Sequence, residues 1–171
     1  MKVLSRRELI CSFAGVLGTL FLGSRALADK RAAVDVPVSL AVGTVRTSEF
    51  PVTHNSYLIL IRAEKRLAFA DMNCMMGLTS GPLSRYNCNK EPLIQAAWTV
   101  WDGERVVAQG SIQDKAGPGA WANDSMDRYL GTFNGQAQKK YVLEVKFTKD
   151  GTPLSVTNPH LIVLLTKPTD F

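Results

Sequence analysis

Few side chains in this sequence are of the kind that does covalent or metal chemistry, and they are widely spaced: His54 and His160, Cys74 and Cys88, and a third cysteine, Cys11, near the start. A hydrolase needs a nucleophile beside a base, or paired acids. His54 lies in the stretch THNS, so a Ser56–His54 or a Cys88–His54 pairing is arithmetically open. Neither nucleophile, however, sits in the glycine-flanked turn that exposes such a residue at the end of a strand. No catalytic residue is assigned, and the chain is not expected to be an enzyme. A zinc site built from Cys74, Cys88, His54 and His160 matches no short-loop ligand spacing, and oxidised cysteines do not ligate as thiolates. Met72, Met75 and Met76 around Cys74 are soft-metal ligands by type, but methionines at near-helical spacing fill cores. No metal and no cofactor are expected.

Two features remain. Cys74 and Cys88 form an even pair which, in an oxidising compartment, reads as a disulfide closing a loop of about 15 residues. Trp121 lies in AGPGAWAND, residues 116–124, where small flexible residues present one large aromatic. Such a side chain either anchors an interface or folds back to cap the end of a β-structure. Trp121 is the candidate binding residue.

The compartment follows from the N-terminus. Lys2, Arg6 and Arg7 precede a mostly apolar run over residues 9–23, and Ala26-Leu27-Ala28 is the small-x-small pattern of a signal-peptidase site. Cleavage between Ala28 and Asp29 is expected, giving a signal peptide 1–28 and one domain 29–171. The run is interrupted by Ser12, Gly15, Gly18 and Thr19 and is shorter than the ~20 apolar residues of a membrane span. Arg6 and Arg7, after Ser5 and before Glu8-Leu9-Ile10, partly match the twin-arginine export signal. Cys11 stands at the start of the apolar run rather than at its end, so it is not placed for lipidation. The chain is expected in the periplasm or secreted, meeting the membrane only during export.

Charge reads differently once the signal is set aside. Lys2, Arg6, Arg7 and Arg25 leave with the single acid Glu8, and the formal net charge falls from +5 to +2. The basic pI of about 9.2 is thus largely a property of the first 28 residues. Lys30-Arg31, Lys65-Arg66 and Lys139-Lys140 are scattered, without aromatic interleaving, so no nucleic-acid footprint is present.

The elements that must position these residues are mostly strands. Val36, Val38, Leu40 and Val42 alternate with other residues, as in a half-buried strand, and Pro37 marks an edge or a strand start. Residues 57–62, YLILIR, are apolar on both faces and fit a central strand. Residues 64–76 are helix-compatible, with Gly77 and Gly81-Pro82 as stops. IQAAWTVWDGERVVAQGSI reads as a hairpin. A two-residue Asp102-Gly103 turn would place Trp98 opposite Val107. A three-residue loop over Trp101-Asp102-Gly103, with Gly103 left-handed, places Trp98 opposite Val106 and Ala96 opposite Ala108, and is preferred. A further strand is expected over residues 128–133. A second hairpin, with an Asp150-Gly151 turn, would pair Phe147 with Leu154 and Val145 with Val156. Residues 161–165 supply a buried final strand.

Seven or so short strands with glycine-rich turns and one minor helix predict an all-β fold, an antiparallel β-sandwich with one short helical insert. A buried Trp98, and Tyr141-x-Leu143 in the position of a tyrosine corner, point to the immunoglobulin-like group. The cysteines do not follow that group, since both precede Trp98 and bracket a loop. Over residues 50–165 the order Tyr57-x-Ile59-x-Ile61, a helical insert ending at Gly77, Pro92-Leu93-Ile94 before the Trp98 hairpin, the Trp121 loop before Arg128, and Gly135 before Tyr141-x-Leu143-x-Val145 resembles a proteobacterial family of exported immunoglobulin-like β-sandwich proteins, a domain of unknown function. The resemblance implies no catalytic residues; some members of that family are linked to interbacterial toxin systems. The expected function is a protein-binding or inhibitory, immunity-like module with a protein partner in the cell envelope. A structural or accessory envelope protein is the alternative.

Overall fold

The chain spends its apolar residues on strands whose faces alternate, and ten of them form among the described residues. The computed structural model describes residues 32–54, 56–78, 88, 91–113 and 116–166. The expected export signal at Arg6 and Arg7, Cys11, and the expected cleavage between Ala28 and Asp29 lie outside these residues. In order come β1 (Ala32–Pro37), β2 (Gly43–Arg46), β3 (Phe50–Pro51), β4 (Ser56–Glu64), the helix α1 (Phe69–Met76), β5 (Ala96–Asp102), β6 (Arg105–Ile112), β7 (Gly119–Trp121), β8 (Ser125–Asn134), β9 (Lys140–Phe147), a 3-10 helix (Thr152–Thr157) and β10 (His160–Leu165). Sheet 1 has the order β1-β10-β4-β8-β7. Sheet 2 has the order β2-β9-β5-β6, with β3 following β2 along the same edge of β9. All pairings between these strands are antiparallel. The fold is all-β, with two sheets enclosing the core.

YLILIR does form a central strand. β4 lies between β10 and β8, and Tyr57, Ile59 and Ile61 face the core. From sheet 2, Val100, Leu143 and Val145 meet them, while Phe133 stacks on Tyr57 at 5.4 Å and meets Phe50 and Tyr141 edge-on. Tyr141 begins β9, and its hydroxyl accepts a hydrogen bond from the Gln136 N–H at 2.9 Å, five residues upstream. Tyr57 does the same at the start of β4, accepting from Thr53 N–H at 2.9 Å. Each phenol thus fixes the chain entering a core strand while its ring is buried.

The Trp98 hairpin forms in another register from the preferred one. β5 runs on to Asp102, the turn is Gly103-Glu104, and Trp98 stands opposite Gly110, with Ala96 opposite Ile112. A bulge at Val107, between the pairs Val100↔Ala108 and Trp101↔Val106, absorbs the shift. Gly103 is left-handed as expected, at φ +60°. The reason for the register lies outside the hairpin. The Trp98 indole occupies space that any β-carbon on Gly110, or on Gly131 of the facing sheet, would fill; on Gly110 that carbon would stand 2.6 Å from the ring. Its Nε1 donates to the Leu130 carbonyl at 3.0 Å. The ring fits because the neighbouring strand, at Gly110, and the facing sheet, at Gly131, are both bare there.

The second hairpin does not form. Both edges of β9 are already paired, by β5 on one side and by β2 and β3 on the other. The chain instead makes the 3-10 helix, with Pro153 in its first turn, and crosses to sheet 1 as β10. Leu154 becomes a fully buried plug, and Val156 is exposed. Other differences are local. β1 is an edge strand ending at Pro37, so Val38 and Leu40 are buried outside any strand and Val42 is exposed. The helix starts at Phe69 because β4 continues to Glu64, and it stops where expected, with Gly77 left-handed at φ +71°.

Candidate functional site

The residues singled out by type do not converge. His54 precedes β4, and its Nδ1 meets the Thr53 hydroxyl at 2.7 Å. His160 begins β10, opposite Arg62 at the far end of β4, and its Nδ1 meets Asp35 Oδ1 at 2.6 Å. Six residues of strand separate the two ends, about 20 Å. Cys74 and Cys88 are joined in a disulfide, with Cα atoms 5.4 Å apart, which removes Cys88 as a nucleophile and both as thiolate ligands. Met72 and Met76 are fully buried core residues and Met75 packs against them. Among the described residues no group of three or more His, Cys, Asp or Glu side chains could hold a metal ion.

Trp121 occupies a more informative place. Residues 116–124, read from sequence as a loop, contain the short strand β7, which pairs with β8 and sets Trp121 opposite Met126 at the edge of sheet 1. The approach to β7 is held from below. Gly117 N–H donates to the Gly77 carbonyl at 2.8 Å, and Tyr129 N–H donates to the Pro118 carbonyl at 3.2 Å. The Arg128 side chain, 1% exposed, lies directly under Gly117, where a β-carbon would come within 2.5 Å of Nη1. Burial lowers the pKa of this guanidinium, because the charged form loses water. It remains charged at any ordinary pH.

On this base Trp121 is 53% exposed. Its ring meets Phe69, the first residue of α1, edge-to-face at 6.2 Å and 79°. Lys65 Nζ stands 5.7 Å from the Trp121 ring centre and 5.9 Å from that of Phe69, and donates to the Ala122 carbonyl. Trp121 thus both leans on the start of α1 and presents half its surface outward. Sequence reading missed Phe69 and Lys65, which lie some fifty residues from Trp121. Their signal was an aromatic and a cation just before a helix, which is indistinguishable in one sequence from an ordinary amphipathic start.

An open cleft of about 290 Å³ lies beside the start of β9, lined by Arg105, Val106, Val107, Asn134, Gln136 and Tyr141. Asp102, beside it, receives hydrogen bonds from Lys139 at 2.7 Å and Arg105 at 3.1 Å. Lys139 foremost, with Arg105, holds the Asp102 carboxyl below the usual carboxylate range. Two cations share one carboxylate beside this cleft, and its lining residues do not bring a nucleophile and a base together.

No protein-family model matches the chain, and no curated protein matches it. Among solved structures it is similar to a protein from Sulfurospirillum deleyianum, at 13% identity and a TM-score of 0.53, over 78% of this chain and 97% of that one. A likeness at that identity speaks for the fold alone. Among the described residues no helix is long and apolar enough to cross a membrane.

Proposed function

We propose that the chain is an exported, immunoglobulin-like binding or inhibitory module of the cell envelope, which meets a protein partner through the surface around Trp121. The observation carrying this reading is the half-exposed indole on an edge strand, flanked by Phe69 and Lys65, with the approach to that strand held by backbone hydrogen bonds over the buried Arg128. Aromatic side chains with a nearby cation are the usual anchors of protein interfaces, and an anchor is effective when its support is already ordered. The immunoglobulin-like reading is supported by the pairing of β4 with β8, of β5 with both β9 and β6, and of β8 with β7, together with the Tyr141 corner. It departs from that pattern at the end, where β10 joins β4 rather than β9. The disulfide fits an oxidising compartment such as the periplasm.

A photo-reactive phenylalanine analogue placed at position 121 tests this in cells that express the chain. The expected result is an adduct with one defined envelope protein, absent when the probe stands at the exposed Val42. No adduct, or the same adducts from both positions, overturns the reading.

A further inference from the structure

The cleft beside the start of β9 lies at the other end of β8 from Trp121. Trp121 pairs with Met126, and Asn134, which lines the cleft, stands further along the same strand by about 26 Å. The β6 wall of the cleft is formed by Arg105, Val106 and Val107, three consecutive residues. Consecutive residues of a regular strand face opposite sides, and the bulge at Val107 is what lets all three line one cleft. On the other wall the Tyr141 hydroxyl accepts from the Gln136 N–H at 2.9 Å, which leaves its own proton to donate. Asp102, beside the cleft, is held by Lys139 at 2.7 Å, and Arg105 reaches the same oxygen through Nη2 at 3.1 Å. Nε and Nη1 of Arg105 make no hydrogen bond among the described residues. Lys139 arrives from a fixed loop: Gln138 is left-handed at φ +68°, and its N–H donates to the Val52 carbonyl at 3.1 Å. Two cations on one carboxylate leave one positive charge, and no acidic side chain lines the cleft.

We propose that this cleft binds a carboxylate, seated on the Arg105 guanidinium with the Asn134 and Gln136 amides and the Tyr141 hydroxyl as further donors, and with a short aliphatic group against Val106 and Val107. A planar guanidinium matches a carboxylate through two parallel N–H···O bonds, and Arg105 has the donors to spare. A single unmatched charge suits a monoanion better than a phosphate group, which carries a charge of about −1.5 to −2. Val106, 42% exposed, supplies the apolar contact. The volume of about 290 Å³ is at the lower limit of small-molecule sites, roughly 300–1,000 Å³, so it admits a small acid or the last residue of a chain and nothing much larger. This site stands apart from the Trp121 surface, and neither reading depends on the other.

Titration of the nitrogen-15-labelled protein with N-acetyl-valine, one carboxylate on a short aliphatic group, tests the proposal by NMR. Saturable shifts are expected at the Arg105 Nε–H and at the Asn134 and Gln136 side-chain amides. The uncharged N-acetyl-valinamide is expected to bind the protein about tenfold more weakly or worse, and so is the acid when offered to Arg105→Gln. Arg105 is exposed, so that variant should melt as the parent does. Arg46→Gln, which removes a cation at the far edge of sheet 2, is expected to leave binding unchanged. A tripeptide ending in valine that binds more tightly than the acid assigns the carboxylate to a chain terminus; equal or weaker binding assigns it to a free small acid. The absence of a saturable shift at Arg105, equal binding of the amide, equal loss in the two arginine variants, or tighter binding of inorganic phosphate overturns the proposal.

Discussion

Trp98 and Trp121 are the same residue type in opposite situations, and the contrast is measurable. Trp98 is 6% exposed, wedged between Gly110 and Gly131, with its N–H on the Leu130 carbonyl. Trp98→Ala removes the ring and strands that carbonyl, at an expected cost of about 3–5 kcal/mol. Trp121 gives up half as much burial and donates no such bond among the described contacts, so Trp121→Ala is expected to cost about 1 kcal/mol, in the range of a partly exposed aromatic contact. Thermal or denaturant unfolding of the two single variants compares them directly. Equal destabilisation would make Trp121 a structural cap and leave the proposed interface without its anchor.

At the scale of the element, the helix α1 is the piece least able to stand alone. It has eight residues, too few for a helix to persist in water without tertiary support. Met72 and Met76 tie it to the core, Gly117 binds its C-terminal end, and the disulfide from Cys74 in its last turn closes a loop of sequence separation 14 that follows it. In the chain-entropy model such a bond contributes about 3 kcal/mol. The double substitution Cys74→Ser with Cys88→Ser is expected to speed amide exchange in α1 and Leu78 while β4, β8 and β9 keep their protection. Exchange that rose equally in all of these strands would show that the disulfide supports the sandwich rather than the insert. Loosening α1 also displaces Phe69, so the setting of Trp121 should relax with it.

At the scale of the whole molecule, export is the prediction that the remaining readings depend on. Material recovered from the periplasm is expected to begin at Asp29, and mass spectrometry of its N-terminal peptide reads this; an intact Met1 or an acylated Cys11 would refute it. Arg6→Lys together with Arg7→Lys is expected to stop export if the chain leaves by the twin-arginine route. Continued export of that variant would assign it to the general secretory machinery. Either route would deliver the chain to an oxidising compartment, which suits the Cys74–Cys88 bond.

How much of this could be read from the residues alone depended on the range of the forces involved. Local alternation and composition gave an all-β chain, YLILIR as a central strand, the stop of α1 at Gly77 and the left-handed Gly103, because each follows from backbone conformation or from which faces are apolar. The Cys74–Cys88 pair followed from a count of two cysteines after residue 28. The register of the Trp98 hairpin did not follow, because it is set by Gly131, which meets the indole from the other sheet. The Asp150-Gly151 turn looked sufficient for a hairpin, but the partners that β9 already had on both edges decided against it. Trp121 was visible as a candidate, whereas its contact with Phe69 and Lys65 was not, since edge pairing of β7 with β8 brings together residues that the sequence keeps far apart. The sequence by itself determined that the chain is mostly strands, with β4 and β10 legible among them, and which side chains seek burial; only the tertiary structure decided which strand lies beside which and whether the weaker segments became strands at all, because those choices rest on long-range packing that leaves no period in the chain.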